Sequence, residues 1–142
     1  MTGLPLSLTL ALAGAGASVP FDAQHVRLEL SFDEARRSFQ GRATETVRLL
    51  REGVTSFDLD ADEMRILAVT SSDGRPVPFE VRPPRLRISV ATTHRAGEDF
   101  TVVIDYTSTP RRGVYFAGPD ARRPRVPRQI WSNSWPEDAR YW

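Results

Sequence analysis

Gly97-Glu-Asp-Phe-Thr-Val-Val-Ile-Asp-Tyr106 decides the fold class. Phe100, Val102, Ile104 and Tyr106 recur at every second position, with Thr101, Val103 and Asp105 between them. A period of two puts the first set on one face of the backbone and predicts a strand with one buried side. The same period runs through His25-Val-Arg-Leu-Glu-Leu-Ser-Phe32, where Val26, Leu28, Leu30 and Phe32 share a face, and through the Thr-rich residues 39–50. Glu45 falls in phase with Ala43 and Val47, an awkward place for a carboxylate, and is expected at an edge or rim where it reaches water. Shorter strands are expected at 54–59, 64–69, 77–81, 86–90 and 113–116. Ser72-Asp-Gly-Arg75 and Thr109-Pro-Arg-Arg-Gly113 read as turns, and 118–128, rich in Pro and Arg, as an irregular loop. No segment sustains a helical period. Short strands separated by turn residues predict an all-β, antiparallel sandwich.

Composition bounds the rest. A chain of 142 residues suits one domain and can bury a sizeable core. Hydrophobic residues make up 40% and charged residues 26%, an ordinary soluble balance. A net charge of +1 gives no global pull towards nucleic acid or acidic membrane. Every one of the 19 basic residues is Arg. Cysteine is absent, which excludes disulfides, thiolate catalysis and Cys-based metal sites. Leu4-Pro-Leu-Ser-Leu-Thr-Leu-Ala-Leu-Ala-Gly-Ala-Gly-Ala17 is apolar, too short to span a bilayer, and carries Ala15-Gly-Ala17 at its end. That pattern matches a signal-peptidase site, although no Lys or Arg precedes the run. Residues 1–19 are therefore expected to be a cleaved export leader or a disordered start, and 20–142 the folded domain, exported to the periplasm or the extracellular space, or cytoplasmic if the leader is not a signal.

Residue types alone supply no active site. His25 and His94 stand in no ligand spacing, and a zinc site needs three or four convergent ligands. No G-x-S-x-G elbow occurs. Asp58, Asp60, Asp62 and Glu63 lack the glycine and the spacing of a calcium loop, and are expected to form a solvated turn. Arg122, Arg123, Arg125 and Arg128, broken by prolines, are expected on a solvated loop rather than a nucleic-acid patch.

The order of blocks resembles the N-terminal domain of the zinc aminopeptidase family that includes aminopeptidase N and the leukotriene hydrolases. The likeness rests on the opening strand of 25–33 followed by Phe39-Gln-Gly41, on 95–106, and on Thr109-Pro-Arg-Arg-Gly-Val-Tyr-Phe116. It is completed by Gly118-Pro-Asp, Pro127-Arg-Gln-Ile-Trp131 and Pro136-Glu-Asp-Ala-Arg-Tyr-Trp142. It covers about residues 21–142. The resemblance implies a saddle-like β-domain, incomplete at its C-terminus, that packs on its own thermolysin-like catalytic domain. In that family the catalytic domain supplies H-E-x-x-H and a downstream Glu for Zn²⁺ and acts on peptides. None of those motifs is in this chain, so the resemblance implies zinc only in a longer parent and no catalytic residue here. It also implies a loop over the substrate's N-terminus, of the form Trp-Thr-Gln-x-Gln/Glu. Trp131-Ser-Asn-Ser-Trp135 aligns with it, giving Asn133, Ser134 and Trp135 as substrate-binding positions. Trp135 stands where an amine-binding Gln or Glu is expected, and an indole cannot accept a hydrogen bond. Two other classes stay open: a non-catalytic scaffold domain with an aromatic docking end, and an unrelated secreted β-sandwich binding module.

Overall fold

The computed structural model of the chain describes residues 19–90, 94–133 and Arg140. The leader expected over 1–19, apart from Val19, lies outside the described residues, as do Ser134, Trp135 and the remainder of the closing segment. Nine strands follow in order. They are β1 (Phe21–Asp33), β2 (Ser38–Leu49), β3 (Ser56–Asp60), β4 (Met64–Ser71), β5 (Phe79–Arg82), β6 (Arg85–Ser89), β7 (Asp99–Ser108), β8 (Val114–Ala117) and β9 (Gln129–Ser132). Every pairing among them is antiparallel, and the described residues contain no α-helix.

The stretch whose alternation is strongest becomes β7, an inner strand of a four-stranded sheet ordered β1-β2-β7-β4. Val102, Ile104 and Tyr106 are buried on one face, as the period of two requires. Phe39, Ala43 and Val47 of β2 share that face. A smaller sheet, ordered β3-β6-β5, adds Phe57, Leu86 and Ile88 to the same core. Phe57 meets Phe21 at 5.0 Å and Phe100 at 6.1 Å between ring centres, tying the two layers together. The β5–β6 hairpin turns at Pro83-Pro84, which reads in the sequence as an interruption. The third element is a two-stranded ribbon of β8 and β9.

The outer faces carry arginine–carboxylate pairs set by register. Arg42 lies opposite Asp105 and Arg48 opposite Asp99, with Nε–Oδ1 distances of 2.7 and 2.8 Å. On the small sheet Arg87 meets Asp58 and Arg85 meets Asp60, both at 2.8 Å. The acidic run is therefore not a solvated turn: its first two members are cross-strand partners of arginines. Pairs this exposed add little stability, but a slip of β2 on β7 by one or two residues would leave Arg42 opposite an uncharged side chain.

Two expectations about burial change. β1 was expected to be half-buried, yet Val26, Leu28, Leu30 and Phe32 remain between 37% and 51% exposed. They do point to the core side of the sheet, opposite Glu45, Ala43, Gly41 and Phe39, but the second layer does not reach them. Glu45 is likewise at no edge, because β2 lies between β1 and β7.

Gly41 sits opposite Tyr106, whose buried ring lies over the bare Cα. A Cβ at residue 41 would overlap that ring at Cζ and Cε1. Phe39 closes against the same ring edge-on, at 5.9 Å. Gly41→Ala is thus expected to cost about 1–3 kcal/mol in urea-unfolding experiments, the range for overpacking. Combined with Tyr106→Leu it should lose less than the sum of the two single changes, because the smaller side chain vacates the overlap. Strict additivity would show that the two positions do not meet.

Candidate functional site

The aligned segment begins on the ribbon, which contacts at Glu63 and Phe32 hold to the main sheet and a stack across its own strands stiffens. The ribbon's first strand leaves β7 through a turn that docks on Glu63. The Glu63 carboxylate accepts from Arg111 N at 2.8 Å and Arg111 Nε at 2.6 Å, while the Glu63 carbonyl accepts from Ser108 Oγ at 3.0 Å. Burial opposes ionisation of Glu63, but the Arg111 backbone N–H and guanidinium outweigh it and hold the carboxyl below its usual range. Phe116 of β8 packs edge-on against Phe32 at 6.0 Å. Tyr115 stacks on Trp131 across the ribbon, 4.2 Å between centres and 18° between planes.

This corrects the reading of residue 131 as the start of a loop. Trp131 and Ser132 belong to β9, paired with Tyr115 and Val114. Trp131 is 48% exposed, so one face of its indole meets Tyr115 while the rest meets solvent. Asn133 follows directly, and its N–H donates to Gly113 O at 2.8 Å, extending the ribbon by one bond. Asn133 is therefore the one position of the aligned trio whose placement is described, half-buried where the ribbon ends. Tyr115 was not singled out from the sequence. The signal was there in the matching lengths of 114–117 and 129–132, but the intervening Pro- and Arg-rich residues conceal the pairing.

A second feature lies under the bare part of β1. Glu45 points to the core side between Val26 and Val102, its neighbours on the adjoining strands. Burial raises its carboxyl from the ordinary 4.5 to about 7. No ion pair among the described residues compensates it. Burial, and then the charge of Glu45, also push the Tyr106 hydroxyl above its ordinary range. Glu45 is thus a half-buried carboxyl in an apolar setting, near enough to Tyr106 for its charge to act on that hydroxyl.

Metal chemistry finds no support in these side chains. Among the described residues no group of three or more His, Asp or Glu converges. His94 rests on Phe100 at 5.1 Å with Nδ1 3.3 Å from Glu98, and His25 lies in β1 opposite Thr46. The Arg run of the 118–128 loop is partly engaged within the fold, with Arg123 on Asp120 at 2.9 Å and Arg128 on Glu34 at 3.5 Å. No helix of the described residues is long and apolar enough to cross a membrane.

Neither a family sequence model nor a curated protein sequence matches the chain. Solved structures do share its fold. An M1 zinc metallopeptidase from Deinococcus radiodurans, bound to a Tyr-Ser-Ala substrate, matches with a TM-score of 0.56 and 24% identity, over 70% of this chain and 22% of that one. A second structure of an M1 zinc metallopeptidase from the same organism gives 0.58 and 22%, over 76% of this chain and 28% of that one. Native yeast LTA4 hydrolase gives 0.57 and 23%, over 68% of this chain and 16% of the hydrolase. At such identities the likeness establishes the fold, an antiparallel β-domain of the kind found within M1 metallopeptidases. The chain spans well under a third of the length of any of these proteins.

The buried carboxyl gives a pH signature. Below pH 4.5 Glu45 is protonated in both folded and unfolded chains and imposes no cost. Between 4.5 and about 7 the unfolded chain ionises first, so its contribution to stability falls as pH rises. Urea unfolding across this window should show the decline in the native chain and a shallower one in Glu45→Gln. Parallel curves would contradict the assignment.

Proposed function

We propose that the chain serves as the non-catalytic N-terminal β-domain of a zinc metallo-aminopeptidase-like protein, packing on the catalytic domain and presenting a loop near the substrate's N-terminus. The observation that carries this reading is the β8–β9 ribbon, which delivers Asn133 from a fold found within M1 zinc metallopeptidases. A carboxamide oxygen can accept a hydrogen bond from a free α-ammonium group. Trp135, two residues on, can offer only its ring to a cation or an aliphatic side chain. The reading therefore assigns the polar contact to Asn133 and a packing role to Trp135, with Ser134 between them. Peptides are the substrate class, in keeping with the Tyr-Ser-Ala bound to one protein of the same fold. Zinc and its activated water are assigned to the catalytic domain, in keeping with the zinc metallopeptidases that share this fold. Export through a leader over 1–19 is part of the same proposal and rests on the sequence.

A second reading draws on the stacked, half-exposed Tyr115–Trp131 pair. Exposed aromatics of this kind anchor protein interfaces, so the ribbon also suits a scaffold domain that docks a partner without touching substrate.

The chain alone should not hydrolyse aminoacyl chromogenic substrates, with or without added Zn²⁺; zinc-dependent turnover would overturn the non-catalytic assignment. Combined with an H-E-x-x-H catalytic domain from its own genome, it should support turnover. Asn133→Ala is then expected to raise KM about tenfold or more, the worth of one hydrogen bond to a charged group, with kcat little changed. An unchanged KM would remove Asn133 from amine recognition and favour the scaffold.

A further inference from the structure

We propose that the free edge of β1 is a self-recognition site, through which two copies of the chain pair antiparallel about a twofold axis at Leu28. Among the described residues β1 bonds only to β2, so on these residues its other side is an open strand edge. The opposite edge of the same sheet, β4, is interrupted by an irregularity between Ile66 and Ala68 and bridged at Thr70 by Pro76. β1 has its only irregularity at Ala23/His25 and runs regularly from His25 to Asp33. That run contains no Pro and no Lys, two residues that commonly guard such edges.

The sequence along this edge is self-complementary. A twofold axis perpendicular to the sheet keeps each apolar face on the same side in both copies. Centred on Leu28, it places Leu28 opposite Leu28 of the second copy and Val26 opposite Leu30. On the other face Arg27 comes opposite Glu29, and Glu29 opposite Arg27, giving two matched charge pairs. Within one chain Arg27 lacks such a partner across β2, because it lies opposite Thr44 and reaches only Glu29 of its own strand, at 3.0 Å. Arg42 and Arg48 of the same sheet each face an aspartate directly. The pairing gives Arg27 the cross-strand acid that the other two already have. It also gives each of the exposed Val26, Leu28 and Leu30 an apolar neighbour, and joins two four-stranded sheets through their β1 strands. This inference does not depend on the peptidase reading.

Sedimentation equilibrium of the full chain, over a wide concentration range, tests it. The native chain should show a monomer–dimer equilibrium. Arg27→Glu and Glu29→Arg each replace the attractive pairs with like charges, and each should weaken the dimer about tenfold or more. Both side chains are exposed; Glu29→Arg also faces Arg42 across β2, so far-UV circular dichroism confirms that each variant is folded before its association is compared. An equimolar mixture of the two variants restores opposite charges across the axis and should associate as well as the native chain. A native chain that stays monomeric throughout would overturn the proposal. So would association that persists undiminished in the single variants, which would point to another surface such as the aromatic ribbon, or a mixture no tighter than its components.

Discussion

The missing side chain at Gly41 is the constraint on which the rest of this molecule depends. It lets the Tyr106 ring lie flat across β2, which brings β2 and β7 into one register and closes the centre of the core. The ring then becomes the first of a series of aromatic contacts. Tyr106 meets Phe39 at 5.9 Å, Phe39 meets Phe32 at 5.8 Å, and Phe32 meets Phe116 at 6.0 Å. This series leads from the middle of the main sheet to the ribbon, and the ribbon ends at Asn133. A glycine in the core is thereby linked, by packing, to the end of the ribbon at Asn133. The Glu63–Arg111 contact holds the near end of the same ribbon from the other side.

Much of this was legible in the sequence, and the failures share one cause. The strands of 39–50 and 97–106 were plain because their alternation is local and both become inner strands. The face carrying Val26, Leu28, Leu30 and Phe32 was identified correctly, but its exposure was not. Periodicity tells which side chains share a face, while coverage depends on where a distant layer ends. Glu45 shows the same limit. Its phase was readable, yet the expectation of a rim position failed because strand order is set by β1 and β7, far away in sequence. Asp58 and Asp60 were grouped with a turn because their arginine partners, Arg87 and Arg85, lie beyond two other elements. β9 went unrecognised for a similar reason: it is four residues long and is defined by pairing with β8 across a Pro-rich loop.

The candidate site divides along the same line. Asn133 could be located by matching a motif, and the fold places it where the ribbon ends. Tyr115, which supports Trp131, became visible only with the pairing. Among the described residues no group of three or more His, Asp or Glu converges. The chain's two exposed apolar features lie on different parts of the molecule's surface and suit different contacts. The ribbon offers stacked aromatics on a projecting element, and β1 offers a regular strand edge with alternating charge. They meet only at Phe32, where the end of β1 touches Phe116.

The central claim is that aromatic packing anchored at Gly41 positions the ribbon. Residue-resolved hydrogen exchange in Phe32→Ala tests it most directly, because Phe32 touches both Phe39 and Phe116 while its own strand remains paired to β2. The account predicts faster exchange of the Asn133 amide, now protected by Gly113 O, with unchanged protection of Ala43 and Ile104 in the core. Unaltered exchange at Asn133 would contradict it, and would mean that the ribbon is held by other contacts, such as Glu63–Arg111 and the packing of Val114 and Ile130 on the core.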